Sequence, residues 1–102
     1  MRRKLHPGAR TDLIDAQRWY DSKERGLGRR FRQSVDEGVA RVMRLPLAAP
    51  LWPGIDTELN VRKYVLRRFP YSIAYLLQGD VITILAVAHQ RRQPDYWLDR
   101  IG

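Results

Sequence analysis

Ten side chains in the last third of the chain are of the types that hold phosphates, stack bases or move protons. They are Arg62, Lys63, Arg67, Arg68, Arg91 and Arg92, joined by His89, Tyr64, Tyr71 and Tyr96. Arginine offers a planar, permanently charged fork for carboxylates and phosphates. Tyrosine supplies a flat face and a phenolic proton, and an unperturbed imidazole titrates near neutrality. Such a set could bind a nucleic acid or an acidic protein segment, or place an acid and a base for strand cleavage. Two simpler readings stand beside it. The cations of Val61–Arg68 suit a sheet edge kept soluble by charge. A histidine at a strand end commonly hydrogen-bonds a neighbouring loop.

Other chemistries lack their residues. No glycine-rich phosphate loop, zinc-ligand spacing or paired-carboxylate arrangement is present, so neither a metal nor a cofactor is expected. Gly26 and Gly28 are followed by Arg29-Arg30 with no strand before them, which removes a dinucleotide reading. Ser22, Ser34 and Ser72 have no base placed beside them by the sequence.

The basic residues sit on or between three runs that read as strands. Val61–Arg68 interleaves apolar and basic residues, Tyr71–Leu77 is almost wholly apolar, and Val81–Ala88 is rich in β-branched residues, as strands buried on both faces are. Phe69-Pro70 breaks the first ladder, because proline cannot donate to a sheet. Gln78-Gly79-Asp80 makes the second turn, with Gly79 free to adopt a positive φ. A meander puts the first and third runs on either side of the second. Residues of 62–68 could then share a surface with His89–Tyr96.

Two helices precede the strands. Pro7 suits a first helical turn, and Ala9, Leu13, Ala16 and Tyr20 form one apolar stripe, widened by Ile14 and Trp19. The opposite face carries Arg10, Asp12, Asp15, Arg18 and Asp21. This helix should end near Glu24–Gly28. Leu27, Phe31, Val35, Val39, Val42 and Leu45 continue the periodicity in a second helix that Pro46 stops. Leu47–Leu59, with Pro50, Pro53 and Gly54, reads as a connector pinned to the core by Leu51, Trp52 and Ile55. Arg3–His6, whose apolar content is Leu5 alone, reads as coil. Pro94 could open a short C-terminal helix through Arg100. The expected class is α+β, a helical hairpin packed on a small sheet.

Bulk properties set the frame. A chain of 102 residues gives room for one domain, residues 1–102. With 44% hydrophobic and 29% charged residues it is expected to be globular. No cysteine is present, which fits a reducing compartment; with no apolar run long enough for a membrane span and no leader signature, a cytoplasmic location and no membrane partner are expected. The formal charge is +8, and sixteen of the nineteen cations are arginine, which favours an anionic partner.

The stretch Arg68-Phe69-Pro70-Tyr71-Ser72-Ile73-Ala74-Tyr75, followed by Ile84–Ala88 and His89-Gln90-Arg91-Arg92-Gln93-Pro94-Asp95-Tyr96-Trp97, resembles the RelE/ParE toxin superfamily, and most of all its ParE-like, plasmid-stabilisation branch. His6-Pro7, Trp19-Tyr20, Leu27-Gly28 with Phe31, and Val61-Arg62 support the match. The resemblance implies the toxin half of a type II toxin–antitoxin pair with a β-α-α-β-β-β order, which would turn residues 2–6 into a strand. It also implies a co-encoded antitoxin with an acidic C-terminal segment, and a hetero-oligomeric complex. RelE-type members cleave mRNA on the ribosome with basic residues and a C-terminal tyrosine, whereas ParE-type members poison DNA gyrase. Ser72 and Gln90 stand where a RelE-type nuclease would carry arginines, and only Tyr96 aligns with its tyrosine. The favoured expectation is a ParE-like gyrase inhibitor, with Arg62, Lys63, Arg67, Arg68, Arg91 and Arg92 serving target or antitoxin. The alternatives are a RelE-like ribosome-dependent endoribonuclease using His89, Arg91 and Tyr96, and a non-toxic chain that only binds its antitoxin.

Overall fold

The first strand, β1, spans Arg2–Leu5 and pairs in parallel with the last, β4, Val81–His89. All four β1 residues are exposed. Its hold on the sheet is therefore in the backbone, with Arg2 N–H donating to Asp80 O at 2.8 Å and His6 N–H to Ile84 O at 2.9 Å. The coil reading of Arg3–His6 thus fails and the strand implied by the family resemblance holds. A local reading misses β1 because its partner lies about eighty residues downstream in the chain and its own side chains bury nothing. The structure, a computed structural model, describes the backbone of residues 1–102 and every side chain except that of Asp95.

Helix α1 covers Pro7–Lys23. His6 is its N-cap, accepting the Gly8 N–H on Nδ1 at 2.9 Å, and Pro7 takes the first helical position. Ala9, Leu13, Ala16 and Tyr20 are buried, as their spacing requires. Two neighbours depart from the expected pattern. Trp19 is 54% exposed, and Asp12 turns inward from the expected polar face. Gly26, at φ 86°, reverses the chain into α2, Leu27–Arg44. The helices approach so closely that a Cβ on Gly28 would lie 2.4 Å from the Gln17 carbonyl oxygen. Phe31, Val35, Val39 and Val42 are buried, but Leu45 is exposed because it lies past the last helical residue with φ −131°.

The sheet order is β1-β4-β3-β2, with β2 at Val61–Val65 and β3 at Tyr71–Gln78. Both β2–β3 and β3–β4 pairs are antiparallel. Strand β2 ends at Val65 and does not reach Arg68. Leu66 N–H donates to Tyr71 O and Tyr71 N–H to Phe69 O, which folds Arg67 and Arg68 into the turn. Gly79 adopts φ 59° in the two-residue turn before β4.

Each face of the sheet is covered. Ile73, Tyr75, Ile82, Ile84 and Val87 meet the helix stripes. Val61, Ala74, Leu76, Leu85, Ala86 and Ala88 meet Trp97, which is fully buried and packs edge-on against Trp52 at 4.9 Å between centroids. The β3–β4 register shifts at Ala74/Tyr75, and Leu85 is the extra residue, so Leu85 and Ala86 share one face while Val87 returns to the other. The expected C-terminal helix takes the form of two 3₁₀ turns, Pro94–Tyr96 and Leu98–Arg100, interrupted where Trp97 enters the core. The connector is pinned as expected: Trp52 N–H donates to Val61 O and Lys63 N–H to Pro50 O along the outer edge of β2.

Candidate functional site

The predicted cations divide into three places. Arg62 faces the helix side of the sheet opposite Tyr75, and its guanidinium donates to Ala49 O at 2.7 Å, Leu47 O at 3.3 Å and Asn60 Oδ1 at 3.0 Å. It closes the end of the connector. Lys63, one residue on, points to the other face with its ammonium 5.0 Å from the Trp52 ring centroid. Arg67 and Arg68 lie exposed in the β2–β3 turn, beside a groove of about 720 Å³ against α2 that Arg30 and Phe69 also line.

Arg91 and Arg92 follow β4, and Gln90 N–H donates to Pro70 O at 2.8 Å. Tyr71 pairs with His89, so the arginines of the β2–β3 turn and those after β4 occupy the same end of the sheet. Arg67, Arg68, Arg91 and Arg92 therefore stand at one end of the sheet, with Arg92 on the α1 side and Arg67 and Arg68 beside the groove against α2, while Arg62 and Lys63 stand apart from that end. Strand geometry accounts for the separation: Arg62 pairs midway along β3, several residues from the turn, and successive residues alternate faces.

A cleft of about 440 Å³ opens at this end between α1 and the strands. Asp12, Asp15, Trp19 and Tyr20 form the helix wall, Tyr71, Val87 and His89 the strand wall, and Arg92 and Tyr96 the closing tail. His89 Nδ1 accepts the Arg91 N–H at 3.1 Å, which in the neutral ring places the proton on Nε2. The Arg92 guanidinium stacks on Tyr96, 3.8 Å from its centroid. The Tyr96 hydroxyl donates to Asp12 Oδ2 at 3.3 Å. Burial, with the Asp12 carboxylate second, pushes the Tyr96 phenol up to about 12; Arg92 opposes this. Burial likewise raises Tyr71 and Tyr20. At neutral pH these phenols are protonated, offering hydrogen-bond donors and flat apolar walls.

Asp12 and Arg100 were not legible as site residues. Arg100 donates to Asp12 Oδ2 and to Leu85 O, both at 2.9 Å, and Val87 N–H donates to the same carboxylate oxygen at 3.2 Å. Asp12 lies three residues after Ala9 and four before Ala16, on the margin of the buried stripe, and that margin was the available signal. Arg100 carried none, since its partner is distant in the chain.

Ser72 is 1% exposed, on the face that Ala74 and Leu76 share beneath the C-terminal segment, and its hydroxyl has no partner among the described residues. Gln90 begins the turn after β4. Among the described residues no group of three or more His, Cys, Asp or Glu is placed to hold a metal ion. No helix among them is long and apolar enough to cross a membrane.

Comparison with known proteins assigns this architecture. The solved structure of a chromosomal ParDE TA system from P. aeruginosa has the same fold, with a TM-score of 0.74 at 22% identity, covering 87% of this chain and 95% of that one. Toxin ParE2 of Mycobacterium tuberculosis is 32% identical over 96 residues, which is 92% of this chain and 86% of the relative, in both the CDC 1551 / Oshkosh and H37Rv strains. The sequence model of the family described as the ParE toxin of type II toxin-antitoxin system, parDE, matches residues 3–94. The chain belongs to the ParE toxin family of type II toxin–antitoxin systems.

Proposed function

We propose that this ParE-type toxin, acting as one domain, arrests growth by inhibiting DNA gyrase. A co-encoded antitoxin with an acidic C-terminal segment neutralises it in a toxin–antitoxin hetero-oligomer. The observation that carries this reading is the state of the nuclease positions. Ser72 is buried without a charge to offer, and Tyr96 is a firmly protonated phenol engaged with Asp12. A ribonuclease needs cations and a proton acceptor converging on one phosphate, whereas Arg67, Arg68 and Arg91 are exposed and are not among the residues that line the cleft with His89 and Tyr96. Exposed arginines suit a protein surface of opposite charge. The net charge of +8 suits an acidic antitoxin segment.

Expression with and without the product of the adjacent small reading frame tests this. Growth arrest relieved by that product is the expected result; unchanged growth in its absence would identify a non-toxic antitoxin binder. Toeprinting on translating ribosomes tests the endoribonuclease alternative built on His89, Arg91 and Tyr96, and no cleavage in the A site is expected.

A further inference from the structure

The groove between α2 and the β2–β3 turn gathers cations that the fold does not use. Arg30, Gln33, Ser34 and Glu37 line it from one face of α2, and Arg67 and Arg68 from the turn. Its floor is closed by buried Leu66 and by Gly38, where a Cβ would lie 2.9 Å from the Tyr64 ring. Among the described residues neither Arg67 nor Arg68 has an ion-pair partner. Arg30 reaches Glu24 only at 3.8 Å, between two largely exposed side chains. Glu37 is the one acid in the lining, against three arginines. The helix adds to the imbalance. The first turn of α2 carries Arg29 and Arg30 with no acid, and its Gly26 cap supplies no side-chain acceptor, so cations stand at the positive end of the helix dipole.

We propose that this groove binds the phosphate backbone of duplex DNA. Three guanidiniums along an open groove gain most from a chain of phosphates, whose condensed counterions they release. Gln33 and Ser34 are neutral donors of the kind that join arginine on phosphate oxygens. A helical peptide laid in a groove needs apolar anchor points, but Leu27, Tyr64 and Phe69 are packed against the core and the exposed lining is polar. The same burial of Tyr64 and Phe69 removes the stacking platforms that a single strand would use. Recognition through phosphates alone makes the binding independent of base sequence. The inference goes beyond the gyrase reading: Arg67 and Arg68 would lie on the duplex that a gyrase holds, while Arg92, on the α1 side, is left to the protein. Binding to DNA alone is measured without gyrase, so either reading can fail while the other stands.

The test is fluorescence anisotropy of a labelled duplex titrated with the purified full chain across a range of salt concentrations. The expected result is binding whose log K falls against log[salt] with a slope of about −3, one phosphate contact for each arginine. Arg67→Ala/Arg68→Ala should bring the slope to about −1 and weaken binding about tenfold at moderate salt. Arg41→Ala/Arg44→Ala removes the same charge from the last turn of α2 and should leave the slope unchanged. All four side chains are exposed, so both double variants keep the core intact. Equal losses in the two variants would show attraction by net charge alone and overturn the proposal. Absence of binding at low salt, or displacement of the duplex by poly-glutamate or a single strand at lower concentration than by unlabelled duplex, would overturn it as well.

Discussion

Asp12 and Arg100, 88 residues apart, meet at 2.9 Å against the edge of β4 just where β1 stops covering it. Beyond Ile84 that edge would expose the Leu85 carbonyl and the Val87 N–H. Arg100 takes the first and Asp12 the second. One ion pair thereby stands in for a neighbouring strand, at the bulge that redirects Val87 toward the helices. It also ties the C-terminal segment to α1.

Both side chains are largely buried, at 14% and 9% exposure, so either alone would be left as an uncompensated charge. Arg100→Ala and Asp12→Ala should each lower the free energy of unfolding by roughly 3 kcal/mol, the range for breaking one side of a buried pair. The double variant should lose clearly less than the sum. Urea denaturation of the four proteins measures this, and strict additivity would show that the two side chains act separately.

Arg62 was grouped by sequence with Arg67 and Arg68, but its three hydrogen bonds close the connector. Arg62→Ala should cost about 2 kcal/mol, as expected when the part-buried Ala49 carbonyl and the exposed Leu47 carbonyl lose a charged donor. Arg67→Ala and Arg68→Ala should stay within about 0.5 kcal/mol of the parent. The Arg91→Ala/Arg92→Ala variant should keep its melting temperature and lose toxicity or antitoxin affinity. Thermal melts alongside antitoxin titrations separate the two behaviours; retention of both toxicity and affinity would remove this pair from the interface.

Tyr96 gives the fold an alkaline limit. A free phenol ionises near 10.0 and that of Tyr96 near 12, so the folded protein holds this proton more tightly than the unfolded chain does. Stability from this group is complete below pH 10 and is lost as pH climbs toward and through 12. Denaturation midpoints should fall across that window, and Tyr96→Phe should flatten the fall. A midpoint with the same alkaline slope in both proteins would contradict this.

Local pattern made the helices and the three-strand meander legible. The stripe from Ala9 to Tyr20 is buried as spaced, and Phe69-Pro70 and Gly79 turn the chain where proline and glycine must. What depended on distant partners was not legible from the residues alone. β1 has no apolar face to announce it, and only the family resemblance implied it. Asp12 reads as one more acid of a solvent face until Arg100 and the edge of β4 are in place. The meander order was enough to place Arg67, Arg68, Arg91 and Arg92 at one end of the sheet, but not to separate Arg62 and Lys63 from them. The cleft beside that end was not legible, because Trp19 and Asp15 come from the helix that crosses the strand ends.

In the function proposed above, the basic end recognises a protein target and does not cleave RNA. The most direct test is a supercoiling assay with purified gyrase and purified toxin. Inhibition of supercoiling at micromolar toxin, relieved by the antitoxin and lost with Arg91→Ala/Arg92→Ala, is the predicted result. Supercoiling that proceeds unaffected at that concentration would contradict the account.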